Sequence, residues 1–248
     1  MEVLGSPLGT QAFCEAVLQH KLEDKGKLLE NLCKIPKAQV AWLLLFFCGS
    51  PRANYILRTT PPQYCRNYAI ARDQHIRRIL AILLNVTTDI IELRAVLPQV
   101  HLPTRSGGLG LHSAVVTGPA AYWGSWADAL PGLYERMPDF LENFRPNMIR
   151  LVVDGAALPP TAALRNLHEV ALLLQSEGFS DLPTCQTCSM ADSPLSTKTT
   201  TLSLTRLEKT GSEAIKFRDN HRFAAYFSTL ASTDRARLAS CAGPNSAR

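Results

Sequence analysis

Apolar residues recur at helical spacing through most of the first 130 positions, and Gly and Pro punctuate them. The opening Val3-Leu4-Gly5-Ser6-Pro7-Leu8-Gly9 carries too many turn residues for a helix and reads as a tight bend. Thr10 is placed to cap a helix whose apolar positions are Phe13, Ala16, Val17 and Leu18. A second helix is expected after Gly26, carrying Leu28, Leu29 and Leu32 and ending before Pro36. The run from Lys37 to Cys48 is so apolar that it is expected to be the most buried helix of the chain. Gly49-Ser50-Pro51 and Thr59-Thr60-Pro61-Pro62 then frame the short segment Asn54 to Arg58 with two stops.

From Gln63 the pattern Tyr64, Tyr68, Ala71, His75, Ile79, Ile82 and Leu83 predicts a long amphipathic helix ending near Asn85, and Thr88 is placed to cap another over Asp89 to Leu97. His101 to Gly110 reads as a loop, because Pro103 stops a helix and Gly107, Gly108 and Gly110 allow positive φ or close backbone approach. Helix resumes near His112 and carries Tyr122, Trp123 and Trp126; the signal weakens after Pro131 and returns over Thr161 to Gln175, with Gly178 as the stop. Asp181 to Thr201 is rich in Ser, Thr and Pro and reads as a disordered linker, followed by a last helical piece over Leu204 to Leu230 and a tail. The expected fold is mainly α: a turn at 1–10, a helical array at 11–130, a looser helical connector at 131–180, a linker at 181–203 and a C-terminal helical segment at 204–248.

Composition narrows the class. With 248 residues and 46% of them hydrophobic, the chain can bury a sizeable core. Its longest apolar run, Val40 to Cys48, is shorter than the roughly 20 residues of a membrane-crossing helix, so no membrane partner is expected. Glu2, Gly5 and Gly9 interrupt any secretory pattern, which points to a cytoplasmic or nuclear setting, and most of the seven cysteines read as reduced, buried thiols. The net charge of +5 is unevenly spread: Arg66, Arg72, Arg77 and Arg78 face a single Asp73 between Gln63 and Arg78, and Lys216, Arg218, Arg222, Arg235 and Arg237 form a second basic stretch.

Candidate chemistry is sparse. Cys185 and Cys188 have the spacing of a zinc pair, but no second pair accompanies them and His168 and His221 are isolated, so no metal is expected. Ser106-Gly107-Gly108-Leu109-Gly110 lacks the lysine and hydroxyl of a phosphate loop and reads as a turn gripping the next helix. Leu172 stands where a second histidine would complete a zinc motif with His168 and Glu169. Asp73, Asp89, Asp128, Asp139 and Asp154 are solitary, so no catalytic residue and no cofactor can be named.

Three segments, Leu4 to Gly9, Trp42 to Phe47 leading into Pro51 to Pro62, and Leu102 to Leu111, occur in an order and spacing that resembles the region after the active site in reverse transcriptases of non-LTR (LINE-like) retrotransposons. The resemblance runs from residue 3 to about 130. Pro119 to Trp123, Trp126-Ala127 and a stretch from Arg235 to Pro244 are further similar segments. It implies that 1–10 is a palm-edge, primer-grip turn and 11–130 a thumb. The family's metal-binding aspartates precede that turn, where only Met1 and Glu2 stand here, so the expectation is a catalytically incomplete fragment of an RNA-directed DNA polymerase, cut at both ends and not itself an enzyme.

A thumb grips RNA–DNA or other nucleic-acid backbone without reading sequence, here through Arg66, Arg72, Arg77 and Arg78, with Arg52 and Arg58 next. Against this stands an ordinary surface pair between Asp73 and Arg77 at i and i+4. The alternative is a helical protein-interaction module that offers Tyr122, Trp123 and Trp126 to a protein partner or to a second copy.

Overall fold

Residues 1–85, 97–137, 139, 162–177, 224, 228–232 and 234 are described by a computed structural model. Helix dominates them, as the apolar spacing predicts. They fall into two compact units, one drawn from Met1–Ile56, Tyr64–Thr117 and Phe217–Arg248, the other from Leu57–Gln63 and Gly118–Lys216.

The first unit opens with a small hairpin, β1 (Glu2–Val3) paired antiparallel with β2 (Ser6–Pro7). Leu4 and Gly5 join the strands with φ of 49° and 81°, the paired positive values of the two-residue turn that suits hairpin twist. The Tyr55 hydroxyl donates to the Leu4 carbonyl at 2.7 Å, and Lys21 forms an ion pair with Glu2. Thr10 caps α1 (Gln11–Leu32) by accepting the Phe13 N–H. This helix runs unbroken through Gly26, which corrects the expectation of a separate helix there: an isolated helical glycine costs only about 1 kcal/mol, less than the row Leu18, Leu22, Leu29 and Leu32 recovers by burial.

From α2 (Ala38–Leu44) the backbone stays helical through a π turn (Leu45–Gly49) and a 3-10 turn (Ser50–Ala53) into α3 (Asn54–Thr59). Gly49-Ser50-Pro51 therefore changes the pitch of the path without ending it. The 22-residue path Ala38–Thr59 is long and apolar enough, by length and composition, to cross a membrane. Nor is it the most buried helix of the chain. Ala41, Leu45, Gly49 and Ala53 form its inward row, while Val40, Leu43, Leu44 and Phe47 are exposed on the other side. Gly49 packs against Leu45, and a Cβ there would approach Leu45 Cδ1 to 2.9 Å.

The long helix predicted from Gln63 is α4 (Pro62–Leu83). Its buried face is Cys65, Tyr68, Ala69, Arg72, Asp73, Ile76, Ile79 and Leu80, a stripe rotated from the one the apolar residues alone suggest. Leu29, Leu32, Leu45, Ile76, Ile79, Leu80, Val100 and Leu111 close into one cluster, so α1, the π turn, α4 and the loop share a core. Leu97–His101 adds a helical turn; most of the helix expected over Asp89 to Leu97 lies outside the described residues. The glycine loop then packs tightly. A Cβ on Gly108 would collide with the Leu102 backbone and one on Gly110, at φ 67°, with the Phe46 ring.

Asp73 ties this loop's exit to α4. Its Oδ1 accepts the Ala114 N–H at 2.7 Å and its Oδ2 the Ser113 hydroxyl at 2.5 Å and the Val115 N–H at 3.4 Å. Those donors are the start of α5 (Ala114–Arg136), and Ser113 Oγ itself accepts the Val116 N–H. A buried carboxylate from one helix thus satisfies the orphan N–H groups, and the positive dipole end, of another.

In the second unit, α5 passes Pro119 and Pro131 and reaches Arg136, further than the weakening pattern suggests. Ser125 Oγ donates to the Arg58 carbonyl at 2.5 Å, and Gln63 reaches Asn166 on α6 (Ala162–Ser176), whose Leu167, Val170 and Leu174 are buried. The linker at 181–203, nearly all of the segment at 204–248, and Cys185 and Cys188 lie outside the described residues.

Replacing Asp73 with Ala strands two N–H groups and a hydroxyl in the core and is expected to lower stability by about 2–4 kcal/mol, read as a lower urea midpoint at unchanged slope. Asp73→Asn keeps part of the cap and should lose less.

Candidate nucleic-acid interface

Lys and Arg outnumber acids heavily in the middle of the first unit. Between Glu30 and Asp89 the chain holds Lys34, Lys37, Arg52, Arg58, Arg66, Arg72, Arg77 and Arg78 against one acid, Asp73. That acid is 3% exposed and spends its oxygens on the start of α5. The surface pair between Asp73 and Arg77 is therefore not formed: the carboxylate faces the core.

Arg72, expected to grip phosphate, is 1% exposed, and its guanidinium donates to the Gly49 carbonyl. It holds α4 to the π turn and is withdrawn from any surface ligand. The cause is its position: Arg72 stands at the centre of the buried stripe from Cys65 to Leu80. The other predicted contacts lie outside that stripe. Arg66 and Arg78 are exposed on α4, Arg77 is half-buried, and Arg52 is exposed on the 3-10 turn. Arg52, Arg66, Arg77 and Arg78 engage no carboxylate among the described residues. Arg58 is exposed and belongs to the second unit.

Three cations that the sequence pattern did not single out join them: Lys25, half-buried on α1, and Lys34 and Lys37, exposed at its C-terminal side. The signal for the last two was available, since no acid stands between Glu30 and Asp73. Lys25 carried no such signal because acids surround it in sequence. Burial lowers the Lys25 ammonium below its ordinary range, and repulsion from Arg72, Lys21 and Arg52 lowers it further. The His75 imidazole is depressed by burial first, then by Arg72 and Arg78, with Glu30 opposing. Burial likewise lowers Arg72; Tyr68 and Asp73 oppose that shift, while Arg52 adds to it. Cations from α1, the 3-10 turn and α4 thus share one positive field.

The glycine loop offers no phosphate cradle. The N–H groups of Gly107, Gly108, Leu109 and Gly110 all donate to backbone carbonyls of residues 99–104. No group of His, Cys, Asp and Glu suited to a metal occurs among the described residues. The aromatic partner surface is also corrected: Tyr122 and Trp123 are 4% and 6% exposed, and Trp126 is half-buried. Their bulk is spent inside the second unit. Exposed apolar area lies instead on Val40, Leu43, Leu44 and Phe47.

Comparison with protein-family models, with curated proteins and with solved structures finds no match. The likeness to reverse transcriptases rests on the sequence segments alone.

Because the folded imidazole of His75 binds its proton less readily than the unfolded one, the unfolded state takes up more protons below pH 6.5. Stability is expected to fall as pH drops from 6.5 through the depressed value and then to level off as far as this group is concerned. His75→Gln should remove that component, and an NMR titration of the imidazole at low salt should give a midpoint below 6.5; a midpoint above it would contradict the positive field.

Proposed function

We propose that the first unit grips nucleic-acid backbone, as the thumb of a reverse-transcriptase-like polymerase would, through cations that carry no sequence preference. The observation that carries this reading is the withdrawn acid. The one carboxylate between Glu30 and Asp89 is buried in a helix cap, while Lys34, Lys37, Arg52, Arg66 and Arg78 stay exposed. A surface of unpaired cations costs self-repulsion, and a phosphate strand relieves it while releasing condensed counterions. Arg72 serves the grip from within by fixing α4 against the π turn. The resemblance to non-LTR reverse transcriptases points the same way, since a thumb acts by backbone contact.

A second reading, a protein-interaction module, is favoured by the exposed row Val40, Leu43, Leu44 and Phe47, which follows one helical face with Phe47 67% exposed. It replaces the aromatic surface on α5 as the basis for a protein partner or self-association.

Binding to an RNA–DNA hybrid, followed by fluorescence anisotropy over a range of salt, should weaken steeply as salt rises. Arg66→Ala and Arg78→Ala should each reduce the slope of log affinity against log salt by about 0.9, with little change in stability because both side chains are exposed. Arg72→Ala should instead cost stability. A chain that binds no nucleic acid at low salt and self-associates would favour the second reading.

A further inference from the structure

A cleft of about 300 Å³ opens between the second half of α1 and the second half of α4. Leu29, Ile79 and Ile82 give it an apolar floor, Lys34 and Arg78 give it two cations, and the His75 imidazole lies beside them. His75 and Arg78 hold no hydrogen-bond or ion-pair partner among the described residues, while Lys34 Nζ donates to Asn31 Oδ1 at 2.8 Å. Glu30 also lines the cleft and is its one carboxylate. Its volume lies at the lower end of the roughly 300–1,000 Å³ of small-ligand pockets. Phosphate backbone alone has no use for an apolar floor. A nucleobase does, because unpaired bases pack on apolar and ring surfaces while cations hold the adjoining phosphate.

We propose that this cleft seats one unpaired nucleotide of a bound strand, with its base against Leu29, Ile79 and Ile82 and its phosphate on Arg78 and Lys34. Glu30 is the acceptor for a sugar hydroxyl or an exocyclic amine. The seat rests on the backbone-gripping reading and adds a preference within it: for single-stranded ends over fully paired duplex. The same chemistry is offered by a free mononucleotide, which the test separates from a strand. The charged groups that face His75 are Glu30 from α1, Lys34 just beyond its end, and Arg72 and Arg78 from α4. A phosphate brought to Arg78 offsets part of the repulsion on the imidazole.

The test uses the full chain and three oligonucleotides of equal length: a blunt duplex, a duplex with a single-stranded overhang, and the same overhang with abasic positions. The overhang should bind about tenfold more tightly than the blunt duplex, the size of one stacked base, and the abasic overhang should lose that advantage. Ile82 is 48% exposed, so the uncharged Ile82→Ser should keep the fold and the duplex affinity while abolishing the overhang preference. Alkylation of Cys33, which lines the cleft, should be slowed by the overhang but not by the abasic strand, with exposed Cys48 as the internal control.

Equal affinity for all three strands, or an overhang preference that survives Ile82→Ser, would overturn the seat and leave backbone binding standing. Protection of Cys33 by adenosine monophosphate but by no strand would overturn the assignment to a strand. Failure to bind any of the three at low salt would overturn the backbone grip itself, and the seat with it.

Discussion

The carboxylate of Asp73 holds the first unit together at the point where local rules would have left it apart. It leaves the middle of α4, enters the core, and takes up the first N–H groups of α5 together with the Ser113 hydroxyl. Burying a carboxylate is costly unless its oxygens are fully used, and here both are used, by donors at the positive end of a helix. Its neighbour Arg72 does the same on the opposite side by donating to the Gly49 carbonyl. One pair of adjacent charged residues therefore joins α4 to the π turn and to α5, with the leucines and isoleucines of the shared core filling the space between.

That arrangement has an electrostatic consequence. A helix whose single acid is folded inward keeps Arg66 and Arg78 as its exposed charges, and a neighbouring stretch without any acid adds Lys34, Lys37 and Arg52. Lys25 and His75 register the outcome as depressed proton affinity, each through burial and through named cations. The same event that closes the core thus leaves the surface without compensating charge. Structure and candidate function are linked by the fate of Asp73, not by separate features of the chain.

Much of the fold was legible in the spacing of apolar residues and in the turn chemistry. The Leu4-Gly5 bend, the Thr10 cap, the length of α4, the glycine loop and α6 all follow from local signals. What escaped was any choice made by tertiary contact. Gly26 suggests a break because its helix cost is local, whereas the leucines that outweigh it are spread along the helix. Arg72 and Asp73 suggest surface residues because charge usually is, yet they occupy inward positions of a stripe that includes Cys65, Tyr68, Ile76 and Ile79. The same rotation leaves Ile82 exposed; on α5, Tyr122 and Trp123 are core residues and not the partner surface of the alternative reading. Of the candidate contacts, exposed Arg52, Arg66 and Arg78 were legible; the shared field around Lys25 was not, since it depends on helices meeting.

The most direct measurement is a crosslinking map of the chain bound to an RNA–DNA hybrid at low salt, with adducts located by mass spectrometry. Adducts concentrated on peptides from Lys21 to Lys37 and from Arg52 to Arg78, and lost as salt rises, are the predicted result. Adducts confined to the basic stretch from Lys216 to Arg237, or spread evenly over the chain, would contradict the account.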